Sequence, residues 1–134
     1  MGWGIAVMLG VILFGMGFVR YRMGPRGLEM SIPQLQERLG RPDCVVLDVR
    51  SAREYRSGHI PGALNVPHRS IRTHLDELQQ HKGRDVIVYC EAGVRSRIAQ
   101  TALAKAGFAK AYHLVGDMAA WRRGKHAVEV DIAP

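Results

Sequence analysis

A stretch of 134 residues with 47% apolar side chains is enough for one compact domain with a real core plus an appendage. Net charge is +7, yet no Lys/Arg block is interleaved with aromatics, so nucleic acid is not an expected partner. Two cysteines, Cys44 and Cys90, are too few for a disulfide framework and fit a reducing compartment.

The first segment is set apart by its charge. Arg20, Arg22 and Arg26 precede Leu28 in a stretch without a single acid, whereas from Leu28 onward sixteen basic residues face twelve acidic ones. Ahead of those arginines, Trp3 to Val19 carries no charge; its seventeen residues at helical rise cover about 25 Å of a hydrocarbon core of about 30 Å. Trp3 and Tyr21 stand at the two ends, where amphipathic rings prefer the interface, and Arg20 and Arg22 can snorkel to extend the reach. A secretory signal would open with a basic region and close on a small-residue cleavage site. Here no basic side chain comes first, and RYRMGPR follows the apolar run directly. Residues 1–22 are therefore expected to form an uncleaved, single-pass transmembrane anchor in the lipid bilayer. The basic flank places the domain that follows on the cytoplasmic side of the inner membrane. Gly2, Ala6 and Gly10 recur every fourth residue, a small-residue stripe that would let two anchors approach as a homodimer.

Gly24, Pro25 and Gly27 break that helix, so 23–27 reads as a linker and 28–134 as the soluble domain. Ser31 with Gln34 forms a capping box for a helix Ile32–Leu39, ended by Gly40. Cys44–Asp48 is an apolar run closing on an acid, hence a buried strand in which Cys44 is core filler. Ser51 with Glu54 forms a second capping box for a helix of about two turns that stops at Gly58. A turn-rich stretch follows, with a short strand around Ala63–Val66. Ile71, Leu75 and Leu78 sit at helical spacing and predict a helix over Ser70–Gln80. Asp85–Tyr89 is a buried β-branched strand, Arg97–Ala106 a helix capped by Ser96, and Ala111–Val115 another strand. Asp117 caps a last helix through Arg123, with Trp121 turned inward. Strands alternating with helices predict an α/β fold: a parallel sheet covered by helices on both faces, preceded by the one transmembrane helix.

In such a sheet, sites form at the carboxyl ends of the strands. Cys90 stands at one such end, where a strand stops and a helix begins. The unpaired first amides of a helix and its dipole favour a sulfur anion at that place, and Arg95 adds a permanent positive charge. A small buried cysteine at a strand end is the plain alternative. Asp48 and Arg50 lie at or just past another strand end and share a rim with Cys90 if the two strands are neighbours. A structural ion pair or a helix cap is the competing role for them.

The segments LDVRSAREYRSGHIPGALNVP, VIVYCEAGVRS and GDMAAW, in that order, resemble the rhodanese, or sulfurtransferase, family from about Leu28 to about Val128. The apolar start resembles the membrane-anchored single-domain members. The resemblance implies a parallel rhodanese-like sheet and a persulfide relay. Cys90 would take sulfane sulfur from a donor, thiosulfate or a persulfide, and pass it to a thiol or other thiophilic acceptor. It implies that Cys90 and Arg95 are catalytic, and that the amides of Glu91, Ala92, Gly93, Val94 and Ser96 cradle the outer sulfur. Asp48 is implied to brace the loop, with Arg50 pairing nearby, and His59 in its turn to be structural. No cofactor and no metal is expected.

Two departures from the family pattern are visible. Glu91 puts a negative charge in the loop, where many thiosulfate-preferring members are basic; unit charges a few ångström apart repel by a few kcal/mol at an effective dielectric of about 20. Asp117 stands where the family often has glycine, and fits as a helix cap. A phosphatase of the related fold has C-x5-R, with a wider loop and usually His before the Cys. Here the spacing is C-x4-R after Tyr89, a loop sized for sulfur. Two further readings stay open: a phosphatase or arsenate enzyme, and a membrane-tethered scaffold without turnover.

Overall fold

The computed structural model describes residues 27–131. The expected anchor at 1–22, its homodimer stripe and most of the 23–27 linker lie outside the described residues. Among the described residues no helix is long and apolar enough to cross a membrane.

Five strands form one sheet: β1 (Glu29–Met30), β2 (Cys44–Asp48), β3 (Leu64–Asn65), β4 (Asp85–Tyr89) and β5 (Ala111–Leu114). Their order is β1-β5-β4-β2-β3, and every neighbouring pair is parallel. The helices are α1 (Ile32–Arg38), α2 (Ala52–Ser57), α3 (Leu75–Leu78), α4 (Val94–Lys105) and α5 (Asp117–Arg123).

The central strand is β4, and its period-two alternation sorts the core into two layers. Val86, Val88 and Cys90 point into one layer, with Val45, Leu47, Ala99 and Leu103. Ile87 and Tyr89 point into the other, with Val46, Leu35, Met118 and Trp121. Helices thus cover both faces, as the alternating pattern requires. Full burial of each such aliphatic side chain contributes about 1.5–3 kcal/mol.

Both capping boxes form: Ser31 and Gln34 open α1, and Ser51 and Glu54 open α2. The helix expected over Ser70–Gln80 is broken up. Only Leu75–Leu78 is α-helical, flanked by 3₁₀ turns at His68–Ser70, Arg72–His74 and Gln79–His81. The reason is local. The Thr73 hydroxyl and the His74 ring both bond the Ser70 carbonyl, at 2.9 and 2.8 Å, offering the backbone an alternative to a continued α-helical ladder. The apolar spacing still does its work, since Ile71 and Leu78 are buried.

Candidate active site

β2 and β4 are adjacent, with Asp48 in register with Tyr89. Asp48, Arg50 and Cys90 therefore open onto one rim, at the carboxyl end of the sheet. Cys90 directly follows β4, and the link Glu91–Gly93 carries the chain into α4.

α4 begins at Val94, three residues earlier than the sequence reading, and Ser96 is not its cap. Gly93 is, with φ +108, a left-handed conformation that favours glycine. A Cβ there would also stand 3.2 Å from Asp117 Oδ2, so space and backbone both call for glycine. The tight turn brings the Gly93 amide onto the thiol: its N–H donates to Cys90 Sγ across 3.0 Å. The amides of Glu91, Ala92, Val94, Arg95 and Ser96 have no acceptor among the described residues. Orphan donors at a helix start form a cradle for an anion. Cys90 itself is buried, 1% exposed, while Ala92 and Val94 above it are exposed.

Ser96 lies in the first turn of α4 and points inward. Its Oγ sits 3.4 Å from Cys90 Sγ and donates to Asp117 Oδ1 at 2.9 Å. Asp117 is not the cap of α5 either; that place belongs to Gly116. Asp117 adopts φ +54, unusual for a residue with a side chain, and directs its carboxylate under the Cys90 loop. Oδ1 accepts the backbone N–H of Cys90 at 2.9 Å, and Oδ2 accepts from His113 Nε2 at 2.9 Å. Burial works against the charged form of Asp117. The bonds from His113, the Cys90 amide and Ser96 outweigh it and hold the carboxyl below its ordinary range. Nδ1 of the buried His113 has no partner among the described residues.

The guanidinium of Arg95 forms two bonds to Glu54 on α2, at 2.6 and 3.0 Å. That pair ties the loop to the neighbouring helix. The Arg95 bonds draw the Glu54 carboxyl down to about 2. The Ser51 capping box, which bonds the same carboxylate, sets its rotamer.

Asp48 and Arg50 form a buried pair. Asp48 accepts the Arg50 amide, Nε and Nη2, the last at 2.7 Å, and Tyr89 Oη at 2.8 Å. Arg50 also donates to the Gly58 carbonyl at 2.7 Å, and its Nη1 lies 3.6 Å from Glu91 Oε2. Arg122 of α5 pairs with the other Glu91 oxygen. The Glu91 charge is therefore held between two guanidinium groups and does not stand uncompensated in the loop. His59 is buried beside this network without bonding to it, its ring stacked on Tyr55 at 3.7 Å and bonded to the Tyr55 carbonyl, consistent with a structural part.

The family model for the rhodanese-like domain matches residues 31–123, which includes the whole of this rim. The chain belongs to that family. The rhodanese-like domain is 31% identical over 101 residues to a tRNA uridine(34) hydroxylase of Enterobacter sp. (strain 638); the match takes in 72% of this chain and 29% of that protein. The chain thus spans under a third of the length of the curated relatives it matches. Among solved structures it is similar to the BH2092 protein of Bacillus halodurans, at 27% identity and a TM-score of 0.70, with 87% of each chain covered. It shares its fold with a human single-domain sulfurtransferase, TSTD1, at 23% identity and a TM-score of 0.62, over 73% of this chain and 97% of that one.

Three parts of the rhodanese-like rim escaped the sequence reading. Glu54 was legible as a helix cap but not as the partner of Arg95. His113 looked like a strand residue. Asp117 carried the one usable signal, an acid where the family often has glycine.

Proposed function

We propose that the protein is a membrane-anchored sulfurtransferase that carries sulfane sulfur as a persulfide on Cys90. The single observation that supports this best is the thiol of Cys90 seated against the Gly93 amide, inside a loop whose other amides lack acceptors. Such a cradle suits a sulfur anion, and the outer sulfur of a persulfide is one at neutral pH.

The chemistry balances without a cofactor. The Cys90 thiolate attacks the sulfane sulfur of thiosulfate, an S–S bond forms, the donor's S–S bond breaks, and sulfite leaves with the bonding pair. With a persulfide donor the leaving group is the donor's thiolate. In the second half, an acceptor thiolate or cyanide attacks the outer sulfur and the electron pair returns to Cys90. No electrons are gained or lost overall. Gly93 donates to whichever sulfur carries the charge, and the free amides of Glu91, Ala92, Val94 and Ser96 hold the outer one. Arg95 acts as a fixed positive charge at the loop, held in place by Glu54. Asp48 and Arg50 brace the rim. The low exposure of Cys90 favours a slim terminal sulfur over a bulky electrophile. Neutralisation of Glu91 by Arg122 and Arg50 keeps thiosulfate among the donors.

Residues 1–22 supply the proposed anchor and 23–27 the linker, with domain 28–134 at the cytoplasmic face of the inner membrane and self-association through the Gly2, Ala6 and Gly10 stripe. The test is intact-mass measurement after thiosulfate or polysulfide treatment. The wild-type chain gains the mass of one sulfur atom and Cys90→Ala does not. Absence of an adduct with any donor would favour the scaffold reading. Cys90-dependent release of phosphate from an aryl phosphate would favour the phosphatase one. Topology is read by protease access in inverted and right-side-out vesicles; digestion only in the right-side-out ones refutes the cytoplasmic placement.

A further inference from the structure

Beside the Cys90 rim, between α4 and the 3₁₀ turns at His68–His74, runs an open cleft of about 700 Å³. One wall carries Arg69 and Arg72, the other Arg97 and Lys105. All four are exposed. No carboxylate lines the cleft, and among the described residues none of the four cations is in an ion pair. Arg38, Arg50, Arg95 and Arg122 all have acidic partners. Four of the domain's sixteen basic residues thus line one cleft with no acid among them.

The cleft neighbours the rim along the chain on both of its walls. The His68 amide bonds the Val49 carbonyl just past β2, and Arg97 follows the loop arginine by two residues. Burial, Arg69 and Arg95 together push the His68 ring below its ordinary range, so the loop arginine's field reaches the cleft.

We propose that this cleft docks an acidic peptide segment of the protein that exchanges sulfur with Cys90. That the partner exchanges sulfur rests on the sulfurtransferase reading above; that it is an acidic peptide rests on the cleft. The cations do not converge on a point, as they would for a small anion. From Arg97 to Lys105 they are spread over about 12 Å of helix, the span of about four residues of extended chain. Ile98, 53% exposed, gives the floor an apolar patch for the side-chain stems of such a segment. No Phe, Tyr or Trp lines the cleft; its one ring is the His68 imidazole, which leaves no row of stacking platforms of the kind single-stranded nucleic acid uses. A peptide lying along α4 has one end beside the first turn of that helix, where the Cys90 loop begins.

The experiment is fluorescence anisotropy on the full chain in nonionic detergent, with a fluorescein-labelled hexaglutamate peptide, a hexaserine peptide, and an unstructured RNA of matched charge. Hexaglutamate binds, hexaserine does not, and the RNA binds more weakly. Arg72→Glu/Arg97→Glu/Lys105→Glu weakens hexaglutamate binding by roughly ten-fold or more. Arg41→Glu/Lys110→Glu/Arg123→Glu, which alters net charge equally but lies outside the cleft, leaves it within two-fold. Cys90→Ser binds like wild type, which separates this proposal from the sulfur chemistry. Equal loss in both triple variants, no binding of hexaglutamate, or tighter binding of the RNA would each overturn it.

Discussion

The carboxylate of Asp117 accepts the backbone N–H of Cys90 across 2.9 Å, although 27 residues separate them. The same carboxylate takes the hydroxyl of Ser96 and the imidazole of His113, so one buried acid holds the strand end, the first turn of α4 and β5 together. Left-handed backbone costs a non-glycine residue roughly 1–2 kcal/mol, less for Asp than for most, and three charge-assisted bonds offset it.

Asp117→Asn tests that arrangement cleanly, because asparagine tolerates the same backbone and keeps the shape. It removes the charge and replaces one accepting oxygen, the one His113 bonds, with an N–H₂ donor. Chemical denaturation is expected to show a loss of about 1–3 kcal/mol, the range for a buried hydrogen-bonded group left mismatched. The rate of persulfide formation, followed by intact mass, falls by roughly ten-fold as the loop loses its fixed geometry. A variant as stable and as fast as wild type would show that the carboxylate is a bystander.

The sequence carried the architecture because its signals were local. The capping pairs Ser31 with Gln34 and Ser51 with Glu54 are three residues apart, and the β4 run is contiguous, so pattern alone reveals them. The Cys90 rim was legible for the same reason: thiol, glycine and arginine lie within six residues. What escaped were bonds between distant positions. Arg95 and Glu54 are 41 residues apart, and no spacing rule links them. The Ser70–Gln80 region misled because its apolar spacing is set by burial, while its backbone is set by Thr73 and His74. Periodicity reports the first and is blind to the second. Asp117 was misread as a cap because a cap and a cross-loop tether look alike in one dimension.

Gly93 has no substitute. In Gly93→Ala the backbone would have to leave φ +108 or bear strain, and the new methyl would press on Asp117 Oδ2 at 3.2 Å. The amide that donates to Cys90 Sγ moves with it. The expected cost is about 1–2 kcal/mol of stability by thermal or chemical denaturation. The persulfide adduct is expected to disappear at donor levels that saturate wild type. Retention of the adduct at wild-type rate would mean that the Gly93 amide is dispensable to the sulfur site.

The ion pair between Glu54 and Arg95 predicts a pH dependence of known sign. The Glu54 carboxyl is drawn from 4.5 to about 2 by Arg95, so its contribution to stability is complete above pH 4.5 and fades as pH falls toward about 2. The pair is partly solvated, and its worth is on the order of 1 kcal/mol or less. A melting-temperature series from pH 6 down to pH 2 is expected to fall less steeply in Glu54→Gln than in wild type over that window. Arg95→Lys, which cannot form the two-pronged contact, is expected to behave like Glu54→Gln. Parallel curves for all three proteins would refute the pairing.

The two cysteines should differ in kind. Cys44 opens β2 with its thiol pushed up by burial, by Asp85 and by Asp43, with no backbone donor aimed at the sulfur among the described residues. Cys90 has the Gly93 amide at 3.0 Å and a helix start beyond it. After brief polysulfide treatment at neutral pH, peptide mapping is expected to place the added sulfur on Cys90, with Cys44 unmodified. Cys44→Ala should leave the rate of sulfur uptake unchanged, since that half-buried side chain packs against the edge of the core at the start of β2, the end away from the rim. If the sulfur were found on Cys44, or divided evenly between the two, the loop would be conferring no selectivity, and the persulfide relay would lose its structural basis.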